Sequence, residues 1–400
     1  LPVDVILVDA RNYHTFQPLL YQVATAGLDG EDVCYPVRAI FGRQRNARII
    51  MGEVVGGDLA ARRIDLADGA SLDYDELVLA PGAVTNSFGT PGVDRYAFGL
   101  KSLGDALRLR SHVLTCFERA EANPELIDGG MLTFVVAGGG PTGVELCGGL
   151  AELIDRPLRR DFSHLDVGKA KIILVEATDR LLRMLSPRSS ESARSALGKR
   201  GVEVKLNAGV AEVGIDRVGL VDGTAIRSRT LVWAAGIKAH PLAASFGLET
   251  GRGGRVIVDD YLCVPGRPEV HAIGDLAASL SIDGSVIPQV APVAIQGGKY
   301  TAWLIGERMQ GRKPSPFRYR DKGTMATIGR HSAVAELPIG LKLGGAIGWA
   351  AWLLLHLIML IGFRNRANVL VNWAWSYLTF DRASRIIIQR DETMTGTVVH

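Results

Sequence analysis

Val135-Val136-Ala137-Gly138-Gly139-Gly140-Pro141-Thr142-Gly143-Val144-Glu145 decides the fold class. The run reads as an apolar strand, a glycine turn and the start of a helix, and it contains Gly138-x-Gly140-x-x-Gly143. Such a turn seats a pyrophosphate on backbone N–H groups at the positive end of a helix. Gly138 allows the tight turn, Gly140 lets the phosphates approach the backbone, and Gly143 lets the helix pack close to the strand. A glycine pattern alone is weak. The apolar strand before it and the amphipathic helix after it give it weight.

Strands that end in an acid flank this turn. Lys171-Ile172-Ile173-Leu174-Val175 runs into Glu176, and Val3-Asp4-Val5-Ile6-Leu7-Val8 into Asp9. A carboxylate at the end of the second strand of a dinucleotide-binding unit accepts from the ribose hydroxyls. Glu176 would pair with an unphosphorylated ribose and repel a 2′-phosphate, which favours NAD over NADP. Arg180 and Arg183 nearby count the other way. The stretch 155–170 reads as an insertion between the turn and Glu176. Asp9 fits the same ribose role, or is a strand-end turn residue. Its partner turn, about 20 residues earlier, would precede residue 1. The chain opens at Leu1 directly inside a strand-like run, so the expectation is that the N-terminus is missing.

Further short β-like runs, Val202–Leu206 and Thr230–Gly236, lie around an Asp222-Gly223 hairpin signal. Glu269–Asp275 is a strand ending in Gly274-Asp275, a pattern typical of flavoproteins with two dinucleotide domains. The carboxylate there accepts from the ribityl chain, and the glycine admits that chain close to the backbone. Leu77–Ala83 matches the strand that closes a first domain before the chain crosses to a second.

Composition agrees. A chain of 400 residues with 47% hydrophobic and 22% charged residues is globular and large enough for two or three domains. Forty-seven glycines suit many strand-to-helix turns. A net charge of +3 gives no argument for nucleic acid. Cys34, Cys116, Cys147 and Cys263 stand far apart, so buried free thiols are a better reading than a zinc site or a dithiol centre. No signal peptide is visible.

The C-terminal region adds separate physics. Residues 343–363 carry no Asp, Glu, Lys or Arg, and at about 1.5 Å per residue they are long enough to cross a bilayer core of about 30 Å. His356 inside the run, and Gly344, Gly345 and Gly348 in its first third, argue against a span. Arg364 and Arg366 follow, then 369–380 with Trp373, Trp375, Tyr377 and Phe380 before Arg382 and Arg385. Aromatic and basic residues together suit helices lying at a membrane surface. An apolar dimer interface stays open alongside that reading.

Together these segments resemble type II NADH dehydrogenases, the single-subunit, non-proton-pumping NADH:quinone oxidoreductases of the two-dinucleotide-binding-domain flavoproteins. The resemblance covers nearly the whole chain. It includes His14–Thr25, Leu100–Ala106, the Gly138 turn, Trp233–Gly236, Gly274-Asp275, the stretch 291–296 and the C-terminus. It implies an α/β fold of two Rossmann-like domains, an FAD domain at 1–120 and 260–325 and an inserted NADH domain at 130–255. A C-terminal membrane-associated helical segment follows at 326–400.

It also implies site residues. FAD would contact Asp9, Val54, Ala80, Gly82, Gly274, Asp275, Pro292 and Val293. NADH would lie over Gly138, Gly140 and Gly143, with Glu176 on its ribose and Ala235 and Gly236 nearby. Glu145 would sit near nicotinamide and flavin as a catalytic carboxylate; read from the residues alone, it is an acid favoured by the dipole of a helix's first turn. Gln296 matches the second glutamine of the family's quinone motif, and Pro292 stands where the first would be. The implied partners are a membrane quinone (ubiquinone or menaquinone), the lipid bilayer surface and a second copy in a homodimer. The implied place is the cytoplasmic face of the bacterial inner membrane. Without a cysteine pair, disulfide reductases and sulfide:quinone oxidoreductases fit poorly, and no set of long apolar spans supports proton pumping. Two alternatives remain at this point. One is a soluble ferredoxin or rubredoxin reductase. The other is a membrane-associated NAD(H)-binding protein without turnover, because the FAD pyrophosphate turn is absent from this sequence; for residues 1–400 alone, weak or no FAD binding is expected.

Overall fold

The computed structural model describes residues 2–338, 340–382 and 384–388. The elements that position the site are, in chain order, β1 (Val5–Asp9), α1 (Leu20–Ala24), β2 (Ala47–Met51), β3 (Leu77–Leu79), α2 (Leu103–Ala122), β4 (Thr133–Ala137), α3 (Pro141–Leu153), β5 (Lys171–Val175), β6 (Val202–Lys205), β7 (Thr230–Trp233), β8 (Arg267–Ala272), α4 (Ala291–Met309), β9 (Thr324–Gly329), β10 (Ser332–Glu336), α5 (Gly345–Met359) and α6 (Phe363–Thr379).

The chain forms two compact units. The first takes Leu1–His14, Pro36–Val84 and Ile237–Lys322; the second takes Thr15–Tyr35, Thr85–Gly236 and Gly323–His400. This division differs from the expected domain bounds. Residues 15–35 and 85–120 group with the inserted domain because α1 and α2 put Leu20, Leu109, Val113 and Phe117 into the core that also holds Phe134 and Val136 of β4. Residues 237–255 group with the first unit because Ala239, Ala243 and Phe246 pack with Leu79, Val270 and Ala272.

In the first unit, β1 runs parallel to β2, from Val5 opposite Ala47 to Asp9 opposite Met51. β8 runs parallel to β3, with Ala272 opposite Leu79. An antiparallel meander of Val54–Asp58, Arg63–Leu66 and Ser71–Asp73 follows β2.

In the second unit, a parallel sheet has the order 97–98, β7, β4, β5, β6. Every residue of β4 is buried, as expected for a parallel strand covered on both faces. β4 has β5 on one side and β7 on the other. The glycine turn therefore leaves β4 where strand order reverses, the place at which open α/β sheets bind ligands.

α3 is buried almost all round, and its glycines explain how. A Cβ on Gly148 would lie 2.5 Å from the Ile328 carbonyl oxygen of β9, and one on Gly149 would lie 2.8 Å from Thr25 Oγ1. The antiparallel pair β9–β10 and the end of α1 thus rest directly on the helix.

The C-terminal region forms two helices, α5 within the apolar run and α6 after it. α5 has 15 residues, about 22 Å at about 1.5 Å each. Gly362, at φ +87°, turns the chain into α6. No helix among the described residues is long and apolar enough to cross a membrane. Arg366 donates to the carbonyls of Ile358 and Leu360 and so closes the end of α5. Each helix has two faces. Trp352, Val369 and Trp373 turn inward, while Ile347 (71% exposed), Leu354, Ile358, Phe363, Leu370, Trp375 and Leu378 (82%) face solvent. Arg382 and Arg385 do not join that outer face. Arg382 is buried on the carbonyls of Thr25 and Gly149 and pairs with Glu152 at 2.9 Å, and Arg385 pairs with Asp161 and Asp381.

Candidate functional site

The glycine turn has the shape its sequence demands. Gly138 sits at φ +112°, and a Cβ there would lie 2.5 Å from Ala234 O. A Cβ on Gly143 would overlap Gly138 O, so the helix can approach the strand only without one. Gly140 is the N-cap of α3, with Pro141 in the first turn, where no N–H is needed. Nothing lies within 4 Å of a Cβ on Gly140. Open space beside a helix N-terminus is the geometry in which backbone N–H groups can seat a phosphate.

Glu176 is bound to this turn. Gly139 N–H donates to its Oε2 at 2.6 Å, and Thr178 donates to Oε1 from its N–H at 2.8 Å and its hydroxyl at 2.7 Å. Gly139 O accepts from Leu182 N–H at 2.8 Å. The loop that carries Glu176 and the glycine turn are therefore one latched piece. Arg180 Nε is buried without a partner beside it. Ala235 is exposed just past β7, and Gly236 has no room for a Cβ against Phe88.

Glu145 is not the first-turn acid that the residues alone suggest. It lies deeper in α3 and is only 8% exposed. Its Oε1 accepts from Thr327 N–H at 3.3 Å and from Trp352 Nε1–H at 3.2 Å. Burial raises its pKa from 4.5 to about 8, and the two donors pull the other way. Burial disfavours the charged form, so the carboxyl is mostly protonated at neutral pH. Trp352 stacks on His356 at 3.9 Å between ring centroids. His356 Nδ1–H donates to Trp352 O at 2.7 Å, which leaves Nε2 as the acceptor of a neutral ring. Burial holds that ring near a pKa of about 4. A cavity of about 40 Å³ beside Glu145 is also lined by Tyr21, Glu152, Arg330, Trp352 and Tyr377; it has room for about one water.

The first unit carries the other predicted residues. Asp9 ends β1, exposed, with its Oδ1 accepting from Arg11 N–H at 2.8 Å. Val54 opens the meander opposite Leu66. Ala80 is exposed after β3, and Gly82 turns at φ +76° with open space where a Cβ would go. Gly274 turns at φ +64° against Ala294 of α4, and Asp275 follows on the same short 3-10 turn. That turn is held on two sides. Gln289 Nε2 donates to Asp275 O at 2.8 Å, and buried Arg255 donates from Nε (2.8 Å) and Nη2 to Ala277 O. Pro292 lies in the first turn of α4. Val293 packs into the core with Leu262, Ile273, Ile287 and Phe317. The Gln296 amide is engaged both ways on the backbone of Arg320, donating to its O at 2.9 Å and accepting from its N at 3.0 Å.

Comparison with known proteins decides the family. Residues 1–298 match the pyridine nucleotide-disulphide oxidoreductase family, and residues 322–382 match the NDH2 C-terminal domain. The type II NADH:quinone oxidoreductase Ndh of Mycobacterium tuberculosis is 40% identical over 96% of this chain and 85% of its own length. The chain belongs to the type II NADH:quinone oxidoreductases. An internal alternative NAD(P)H-ubiquinone oxidoreductase from Arabidopsis thaliana mitochondria is 31% identical over 96% of the chain and 81% of its own length. The NDH2 of Plasmodium falciparum, solved in complex with NADH, shares the fold with a TM-score of 0.88 at 22% identity, covering 96% of this chain and 95% of that one.

The enzyme is thus an α/β flavoprotein of the FAD- and NADH-binding kind, which overturns the expectation of weak or no FAD binding. The ferredoxin-reductase and non-turnover readings are not favoured. Enzymes of this type are membrane-associated. Sequence reasoning did not find Trp352, Thr327, Arg255 or Gln289. Trp352 stands in the sequence as one aromatic within the uncharged run 343–363. A second missed group is the buried His271, which pairs with Glu76 at 2.8 Å and meets Cys263 at 3.5 Å, while Arg308 Nη2 reaches the same sulfur at 3.4 Å.

Proposed function

We propose that this chain binds NADH over Gly138, Gly140 and Gly143, with Glu176 on the ribose, and that Asp9, Val54, Ala80, Gly82, Gly274, Asp275 and the 292–293 turn hold FAD. The observation that supports this most is the open space at Gly140, at the N-terminus of a buried helix, next to Gly139, whose N–H is latched to Glu176. When bound, flavin supplies hydride acceptance from nicotinamide and two-electron delivery to a quinone. The protein's own work is to hold, orient and shield. Glu176 prefers a free ribose hydroxyl to a 2′-phosphate. Converting NADH and a quinone to NAD and a quinol takes up one further proton. Glu145, neutral at pH 7 with Oε1 occupied by two donors, holds that proton on Oε2.

Gln296 supports the quinone side by fixing the 320 segment to α4. The outward apolar face of α5 and α6 supports docking on a lipid surface, with exposed Arg364 suiting anionic headgroups, and the surface proposed is the cytoplasmic face of the bacterial inner membrane. A homodimer through part of that face is the competing occupant. The test is NADH oxidation with FAD present, run against a short-chain quinone, ferricyanide and no acceptor, and repeated with NADPH. Quinone-dependent turnover with a strong preference for NADH is expected. Equal rates with NADPH would remove the ribose role of Glu176, and turnover with ferricyanide alone would remove the quinone role.

A further inference from the structure

We infer that Trp352 is a positioning residue of the enzyme: its indole N–H, carried on α5, orients the carboxyl of Glu145 on α3. The inference rests on the reading of Glu145 as a site residue and adds a second residue to it. The two lie 207 positions apart in sequence and meet at 3.2 Å.

The surroundings argue that the N–H, and not only the ring, is what the fold selects. A buried indole N–H without an acceptor is costly, and a phenyl ring would fill the core without that liability. Here the acceptor is an oxygen of a carboxyl on which, among the described residues, the one other donor is Thr327 N–H. The indole is also locked in place. Gly348, one turn earlier on the same face, lets α5 come close to the backbone, with Ala333 O 3.2 Å from where a Cβ would sit. His356, one turn later, stacks on the ring. Tyr21 and Trp373 meet it from α1 and α6 at 6.3 and 6.1 Å between centroids. A side chain held on all these sides presents its donor in one direction.

The carboxyl's charge state is then open to the same contact. The titratable and charged groups around it are Tyr21 on α1, Glu152 on α3, Arg330 between β9 and β10, His356 on α5, Tyr377 on α6 and Arg382. Tyr21 and Tyr377 are pushed up by burial and stay protonated, and His356 stays neutral. Glu152 is paired with Arg382 at 2.9 Å. Glu145, raised by burial to about 8, changes charge between neutral and mildly alkaline pH. A hydrogen bond donated to a carboxylate favours the charged form. Removing it makes Glu145 a weaker acid still.

Trp352→Phe keeps most of the ring and deletes the donor. The experiment is the pH dependence of kcat/KM for NADH with a soluble acceptor, in wild type, W352F and E145Q, with kcat and KM resolved. The alkaline limb is expected to move up by about half to one pH unit in W352F, and to vanish in E145Q. In the infrared difference spectrum, the protonated carboxyl stretch assigned by E145Q should shift to higher frequency in W352F. A W352F profile and band that superimpose on wild type, with the limb absent in E145Q, overturn the inference and leave the Glu145 reading standing. An unchanged limb in E145Q overturns both. Should W352F not fold, fluorotryptophan incorporation strengthens the N–H donor at constant shape. The limb then moves to lower pH, and an unmoved limb refutes the role.

Discussion

Alanine at Gly140 and alanine at Gly143 add the same methyl three residues apart and are expected to damage different things. At Gly140 the backbone is extended, φ −73° and ψ −179°, which alanine adopts freely, and the new Cβ meets no atom within 4 Å. Folding stability should change by no more than about 0.5 kcal/mol. The methyl instead occupies the cradle and holds the pyrophosphate off the backbone. A hydrogen bond to a charged group is worth about 1.5–3 kcal/mol, so losing one weakens NADH binding roughly 10- to 100-fold. At Gly143 the Cβ would overlap Gly138 O. Strand and helix must separate, at a cost of about 1–3 kcal/mol or more, and the nucleotide turn moves with them. Thermal unfolding and NADH titration by tryptophan fluorescence separate the two effects. G140A that melts with wild type and still binds NADH with wild-type affinity would falsify the assignment of this turn to the pyrophosphate.

Three further outcomes follow from named contacts. Glu176→Gln removes a like charge from the 2′-phosphate position, so the kcat/KM ratio of NADPH to NADH should rise at least about tenfold; an unmoved ratio places the ribose elsewhere. Burial lowers the pKa of His271, but its bonds to Cys263 and Glu76 outweigh this and raise it from 6.5 to about 9. A raised folded pKa gives stability that is whole below about 6.5 and lost as pH passes about 9. Denaturant midpoints should fall over that window in wild type and stay flatter in H271Q, and parallel curves would show that the pair contributes nothing. Leu354→Asp with Ile358→Asp takes two exposed apolar side chains from the α5 face, each worth about 1.5–3 kcal/mol when buried. Sedimentation with anionic vesicles should drop at least about 100-fold while ferricyanide reduction persists; unchanged sedimentation would locate the lipid contact off α5.

What was legible in the sequence was local. The roles of Gly138, Gly140 and Gly143 follow from backbone constraints inside one turn, and all three have the predicted geometry. The Asp222-Gly223 hairpin stands between two paired strands, with Gly223 at φ +84°. His356 and the early glycines argued against a span in a run long enough for one, and α5 in fact stops at Met359 after 15 residues. What was not legible depends on contacts between distant segments. Glu145 looked like a first-turn acid because its donors, Thr327 and Trp352, come from the other end of the chain. Arg382 looked like an interfacial cation, but its fork is used by Thr25, Gly149 and Glu152. Gln296 gave no sign of its clamp on Arg320, since a side-chain amide that mimics a strand partner leaves no pattern.

The most direct measurement is an anaerobic half-reaction in a stopped-flow spectrophotometer. The protein is loaded with FAD, mixed with one equivalent of NADH, and then mixed with one equivalent of quinone. The flavin's visible band should bleach on the first mix as an equimolar amount of NADH is oxidised, and it should return on the second. A band that NADH leaves untouched, or a bleached band that quinone fails to restore, would contradict the account.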